Sequence, residues 1–161
     1  MPTTGDLPEA LADDLDCNFE RLVIVYQDRI FGFARSLVGN AADAEEIAQD
    51  AFVRAYRALS RYPTEQIRTI ALRAWLFQIT LNVFRNHRRK RRPEEVTLDG
   101  EDGNVNIDLP DDLQRRPDQI AERRERNADL ARLLLALPEK YRVAVILRHV
   151  QGCGYAEIAL A

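Results

Sequence analysis

The chain has 161 residues, of which 46% are hydrophobic and 30% are charged, and its formal net charge is −3 at pH 7. This composition favours a globular protein of one or two small domains and excludes a chain that is disordered throughout. The sequence has no apolar run long enough to cross a bilayer and no secretion signal at its start. Cys17 and Cys153 are too far apart for a metal knuckle or a disulfide framework, so a cytoplasmic protein is expected.

Helical periodicity begins close to the N-terminus. Residues 1–16 are acidic and carry Pro and Gly near their start, so we expect a flexible N-terminal arm. From Phe19 to Leu37, apolar residues recur at steps of three and four, which predicts an amphipathic helix. Gly39 follows this stripe and can end the helix in the left-handed conformation.

A second helix is expected to follow directly. Asn40 can cap its N-terminus, and Asp43 lies in its first turn, where negative charge is favourable. Apolar residues mark one side of this segment up to Leu59, and polar residues mark the other. The helix should stop near Pro63, because the residue before a proline resists helical geometry.

A third helix ends in the most basic segment of the chain. Its apolar stripe runs from Leu72 to Val83, with Trp75 at a core position, and the run Arg85–Arg92 follows. In an acidic protein, a cationic helix end favours binding of a polyanion such as nucleic acid. A basic run alone is more often a solvated surface or a localisation signal, so this alternative stays open.

The second half of the chain divides into a linker and another helical unit. Residues 93–117 are strongly acidic and poor in apolar side chains, so we expect an acidic linker. Helical patterns resume at Asp118 and are interrupted at Pro138. The whole pattern predicts an all-α protein of two small helical modules, 17–92 and 118–161, joined by this linker.

Three motifs in order resemble a known family. The segment Asp43–Tyr56 resembles the core-polymerase-binding helix of bacterial sigma factors, and Ala74–Asn82 with its basic end is similar to their promoter-melting helix. Leu137–Arg142, followed by Ala156–Ala159, resembles the opening of the fourth sigma region. A short linker and the lack of a third sigma domain are typical of the extracytoplasmic-function group.

The resemblance implies a domain plan. Residues 17–92 are expected to form sigma region two, which binds core polymerase and melts promoter DNA. The linker 93–117 is either a plain tether or an acidic occupant of the basic RNA path. Residues 118–161 are expected to form an incomplete region four, because the chain ends within the first helix of a helix-turn-helix motif. No DNA-contacting residue is assigned in that half.

The resemblance also implies two sets of contact residues. Those expected to bind the coiled coil of the polymerase largest subunit are Glu45, Glu46, Gln49, Asp50, Arg54 and Arg57. Those expected to bind DNA are Tyr62, Asn82, Arg85, Asn86, Arg88 and Arg89. For the first set the alternative is an ordinary exposed helix face, which is the commoner meaning of such a pattern, and for Tyr62 the alternative is ordinary packing. Asn82 and Asn86 are one helical turn apart, and their amides can read base edges.

The expected function is transcription initiation, in which the protein binds core RNA polymerase and recognises and melts the minus-ten element of promoter DNA. The group also implies an anti-sigma factor as a partner. His87 and His149 have no catalytic partner at motif spacing, so we expect no enzyme activity, cofactor, metal or small-molecule substrate. One alternative is a truncated interaction protein that binds polymerase or an anti-sigma factor without supporting initiation. The other is a regulator that binds intact duplex.

Overall fold

The computed structural model describes residues 6–91 and 117–160, and the side chains of the second range from residue 126 onwards. The described residues form α-helices and no strands, which confirms the all-α prediction. The helices are α1 (Leu7–Asp13), α2 (Leu15–Val38), α3 (Ala41–Leu59), α4 (Thr64–Thr69), α5 (Leu72–Arg91), α6 (Pro117–Ala136), α7 (Glu139–Val145) and α8 (Tyr155–Leu160). None of them is long and apolar enough to span a membrane.

The junction between α2 and α3 follows the predicted signals. Gly39 ends α2 with a φ of 83°, in the left-handed region that glycine adopts without a steric penalty. The side-chain oxygen of Asn40 accepts a hydrogen bond of 2.9 Å from the backbone N–H of Asp43. This cap fixes where α3 begins, and α3 returns along α2 as its antiparallel neighbour.

The core lies where α2, α3 and α5 pack together. On α3, buried alanines such as Ala44 and Ala51 allow close approach of the neighbouring helices. Across the core, the rings of Phe33 and Phe77 meet edge to face, with centroids 5.0 Å apart. Trp75 is half-buried and packs against this core, as its spacing predicts. These contacts hold the polar faces of α3 and α5 in a fixed relation.

The predicted flexible arm is wrong for residues 7–16. Leu7 and Leu11 lie one turn apart on α1 and are only 2% and 1% exposed, in the same core as α2. Pro8 is compatible with a helix here because the first turn needs no N–H donor. Asp13 at the end of α1 pairs with Arg68 of α4 at 3.1 Å. Residues 1–5 lie outside the described range.

The C-terminal helices pack against the first module. Buried residues of these helices, and Cys153 in the loop before α8, join the same hydrophobic core: Ala131, Leu134, Val143, Ile146, Leu147 and Cys153. After Pro138, α7 passes directly into a π-helical stretch, Ile146–Val150. The N–H of Gln151 accordingly donates to the carbonyl of Ile146 at 3.0 Å. The predicted linker falls outside the described residues except for Pro117, the first residue of α6.

Candidate polymerase-binding and nucleic-acid-binding surfaces

The outer face of α3 is polar and carries both signs of charge. Asp50, one of the six predicted polymerase contacts, is half-buried. The other five are exposed: Glu45, Glu46, Gln49, Arg54 and Arg57. Arg54 pairs with Asp50 at 3.0 Å, and Gln49 donates to Glu45 at 3.4 Å. Exposed pairs of this kind add little stability, so these side chains can exchange their partners at low cost. The geometry therefore suits a docking surface.

The first turn of α3 meets the last turn of α5. The Nε2 atom of His87 lies 3.5 Å from a carboxylate oxygen of Glu46 and 4.0 Å from one of Asp43. One ligand atom from each of these three residues falls within 4.8 Å of the others, which is close enough for a cation to bridge them. Arg91 also pairs with Asp43 and supplies positive charge there. The arrangement is thus accounted for without a metal ion, and it holds the basic end of α5 against α3.

The outer face of α5 carries the predicted DNA contacts. Asn82, Arg85, Arg88 and Arg89 are exposed and Asn86 is half-buried. The amide oxygen of Asn86 accepts a hydrogen bond of 2.6 Å from Arg89. The two amides and the arginines therefore form one cationic, hydrogen-bonding strip along the helix.

An acidic residue of the second module lies on this strip. One carboxylate oxygen of Glu139, at the start of α7, is 2.8 Å from Nε of Arg85, and the other is 2.9 Å from Nη1 of Arg88. The glutamate is 54 positions from Arg85 in sequence, so no local pattern could reveal the contact. Two of the predicted phosphate-binding cations are thus already paired within the chain.

Tyr62 lies in the loop between α3 and α4, where it is half-buried. Its ring packs beside Trp75, with centroids 6.1 Å apart and planes inclined by 57°. This contact agrees with the packing interpretation of Tyr62 and leaves part of the ring accessible. Its contact with a base stays a prediction.

Comparison with known proteins bears on both modules. Residues 22–94 match the family Sigma-70 region 2, and residues 127–161 match the family Sigma-70, region 4. The chain is 33% identical over 145 residues to RNA polymerase sigma-H factor of Pseudomonas aeruginosa, an alignment covering 88% of this chain and 72% of that protein.

Two further relatives carry the name of the extracytoplasmic-function (ECF) group. ECF RNA polymerase sigma factor SigE of Mycolicibacterium smegmatis is 31% identical over 148 residues, covering 88% of this chain and 51% of that protein. ECF RNA polymerase sigma factor SigW of Bacillus subtilis is 27% identical over 160 residues, an alignment covering 87% of this chain and 74% of that protein. The chain therefore belongs to the sigma-70 family of RNA polymerase sigma factors, whose members act in promoter-specific initiation of transcription.

Proposed function

We propose that this sigma factor binds core RNA polymerase through the polar face of α3 and captures the melted minus-ten element with the strip on α5. The observation that carries the proposal is the packing of these two helices against each other, with both polar faces at the surface. Because their relative position is fixed by a shared core, docking of one face on polymerase sets where the other meets DNA.

Docking on polymerase uses the mixed charges of α3. Asp50 and Arg54 satisfy each other in the free protein, so neither is left unpaired before binding. A coiled coil with complementary charges can replace this local pair by intermolecular pairs of the same kind. Such complementarity sets the association rate and the register more than the total affinity. Glu45, Glu46, Gln49 and Arg57 extend the same face.

Capture of single-stranded DNA uses both amides and cations. Asn82 and Asn86 are one turn apart on α5, and each amide can donate to and accept from an unpaired base. Arg89 would pass from Asn86 to a backbone phosphate, while Arg85 and Arg88 neutralise neighbouring phosphates. The accessible part of Tyr62 would stack on an extruded base.

The remaining assignments follow from this role. The protein would work in the cytoplasm with core polymerase and promoter DNA, and it would do no bond-making chemistry of its own. An anti-sigma factor is the proposed regulatory partner, since the extracytoplasmic-function group, which the chain resembles, is commonly controlled in that way.

Reconstituted transcription tests the proposal. Purified protein is added to core polymerase on a pool of genomic fragments, and the 5′ ends of the transcripts are mapped. Core enzyme alone is the control. Promoter-dependent transcripts that share an upstream element support the proposal. Polymerase binding without such transcripts would favour the interaction-protein alternative, and tight duplex binding without polymerase would favour the conventional regulator.

Cross-linking tests the residue assignments separately. A photoreactive amino acid at position 82 should cross-link to non-template-strand bases in the open complex. Ile24, which is 61% exposed on α2, is the control position and should give no cross-link. Equal cross-linking from both positions would remove α5 from the proposed DNA contact.

A further inference from the structure

The hydrophobic core does not reach the DNA-facing end of α5. Phe84 is the last apolar residue of this helix, and it is 3% exposed. Residues 85–91 are all polar or charged, and they include Asn86 and Arg89 of the proposed DNA-binding strip. The shared core therefore fixes α5 at Asn82, whereas the position of the last turns depends on polar contacts.

The end of α5 is also strained by its own charge. Its last turns carry the cations Arg85, Arg88, Arg89, Lys90 and Arg91. Like charges three or four positions apart on a helix repel each other and favour fraying. The last carbonyl groups of any helix also lack partners within it. An attachment to another element would keep the strip residues of this segment in one place.

Asp43, in the first turn of α3, supplies such an attachment. Its Oδ2 atom accepts a hydrogen bond from Arg91, and its Oδ1 atom lies 4.0 Å from Nε2 of His87. A carboxylate oxygen of Glu46 lies 3.5 Å from the same nitrogen. His87 and Arg91 are one turn apart, so both lie on the side of α5 that faces α3. The side chains of Asp43 and His87 are only 14% and 16% exposed, so their contact is partly shielded from salt.

Asp43 is itself held in place by the cap of α3. The Nδ2 atom of Asn40 donates to Oδ2 of Asp43 at 2.8 Å, and the backbone N–H of Asp43 donates to Oδ1 of Asn40 at 2.9 Å. The carboxylate also lies at the positive end of the α3 dipole, and the cations lie at the negative end of the α5 dipole. The start of α3 and the end of α5 therefore attract each other through side chains and backbone alike.

We propose that Asp43 is a positioning residue for promoter recognition, which through Arg91 and His87 holds the end of α5 in register with the polar face of α3. None of these three residues belongs to the proposed polymerase or DNA contacts, so the attachment persists when both partners are bound. The inference rests on the proposed DNA role of α5. It adds that part of the basic run holds the helix in place and does not bind phosphate.

Asp43→Asn gives a test in which the direction of the effect decides. The substitution removes a negative charge near the strip, so phosphate attraction alone predicts tighter binding of DNA. Loss of the attachment to Arg91 predicts weaker binding, because Asn86 is no longer held where it meets a base. The new amide oxygen can still accept from Asn40, so the cap of α3 is retained.

Holoenzyme binding to a fluorescent single-stranded oligonucleotide measures this effect. The oligonucleotide carries the non-template strand of a minus-ten element mapped in the transcription assay. Holoenzyme with Asp43→Asn should bind it about three- to tenfold more weakly than the parent, through partial loss of base contacts. The affinity of the variant for core polymerase should match that of the parent. Oligonucleotide binding as tight as the parent's, or tighter, would overturn the proposal, and so would an equal loss of polymerase affinity.

Arg91 and Lys90 provide a matched pair of substitutions. Both are exposed cations in the last turn of α5, and of the two it is Arg91 that pairs with Asp43. Arg91→Ala should weaken oligonucleotide binding as Asp43→Asn does, Arg91→Lys should retain most of it, and Lys90→Ala should have a smaller effect. The double variant Asp43→Asn with Arg91→Ala should bind no more weakly than either single variant, because both break one contact. Additive losses, or equal losses from Arg91→Ala and Lys90→Ala, would contradict the attachment.

Hydrogen exchange in the free protein separates this inference from the proposed function. Backbone amides of residues 87–91 should exchange about three- to tenfold faster in Asp43→Asn and Arg91→Ala than in the parent, and Lys90→Ala should match the parent. Unchanged exchange in the first two variants would overturn the attachment. If exchange responds as expected but the parent gives no promoter-dependent transcripts, the proposed function fails and the attachment stands. If the parent initiates transcription and Asp43→Asn binds the oligonucleotide as the parent does, the inference fails and the proposed function stands.

Discussion

The burial of Leu11 indicates that α1 is part of the folded domain, and this can be tested by mutation. Its side chain is 1% exposed, and α1 packs on both α2 and α4. Replacing a buried leucine by alanine costs about 2–5 kcal/mol, from lost transfer free energy and from the cavity that remains. Because α1 has only seven residues, its surroundings can partly collapse into the cavity. We therefore expect Leu11→Ala to lower the free energy of unfolding by about 2–3 kcal/mol.

Urea unfolding followed by far-ultraviolet circular dichroism measures this loss. With a urea m-value of about 2 kcal/mol/M, the midpoint should fall by about 1–1.5 M at an unchanged slope. Glu9→Ala is the control, because Glu9 is exposed on the same helix. If Leu11→Ala unfolds within about 0.5 kcal/mol of Glu9→Ala, then α1 is a loose arm and the burial argument is refuted.

Three further outcomes follow from the same structure. Asn40→Ala should lower the free energy of unfolding by about 1 kcal/mol, whereas Asn40→Ser should keep most of the cap, and equal losses in the two would refute capping. Gly39→Ala should lower the free energy of unfolding by about 1–2 kcal/mol because of the left-handed backbone alone. The clash of the new Cβ with Leu135 should add to this loss, and Leu135→Ala should remove that addition. A double-mutant cycle in urea measures that relief, and strict additivity would contradict the close approach. A disulfide reagent should modify exposed Cys17 in the native protein and Cys153 only on unfolding, since burial both hides Cys153 and raises its pKa. The hydrogen bond with Asp14 raises the pKa of Cys17 as well, but this thiol stays accessible. Modification of both thiols in the native protein would contradict this.

Local signals were enough to predict the helices that carry the two surfaces. Gly39 adopts a left-handed backbone and Asn40 offers a capping oxygen. Two adjacent residues therefore determine where α2 ends and where α3 begins. The exposed side of α3 likewise follows from the spacing of its alanines and isoleucine. Both features depend on side chains within one or two turns of each other.

Features that depend on distant residues could not be predicted. Leu7 and Leu11 show helical spacing, but two apolar residues beside a proline are too few to predict a buried helix. Their burial depends on the surface of α2 and α4 against which they pack. The pairing of Glu139 with Arg85 and Arg88 joins two modules across the linker. Only the packing of α6 and α7 on the first module brings these charges together.

Binding to core RNA polymerase tests the central claim most directly. The swap Asp50→Arg with Arg54→Asp keeps the net charge and allows the internal pair to re-form, yet it reverses the charge at each position of the α3 face. The matched control swaps Asp129 and Arg132 on α6. At low salt, the folded parent protein and the control should bind core enzyme, and the α3 swap should bind at least about tenfold more weakly. A folded parent protein that fails to bind, or an α3 swap that binds as tightly as the parent, would contradict the account.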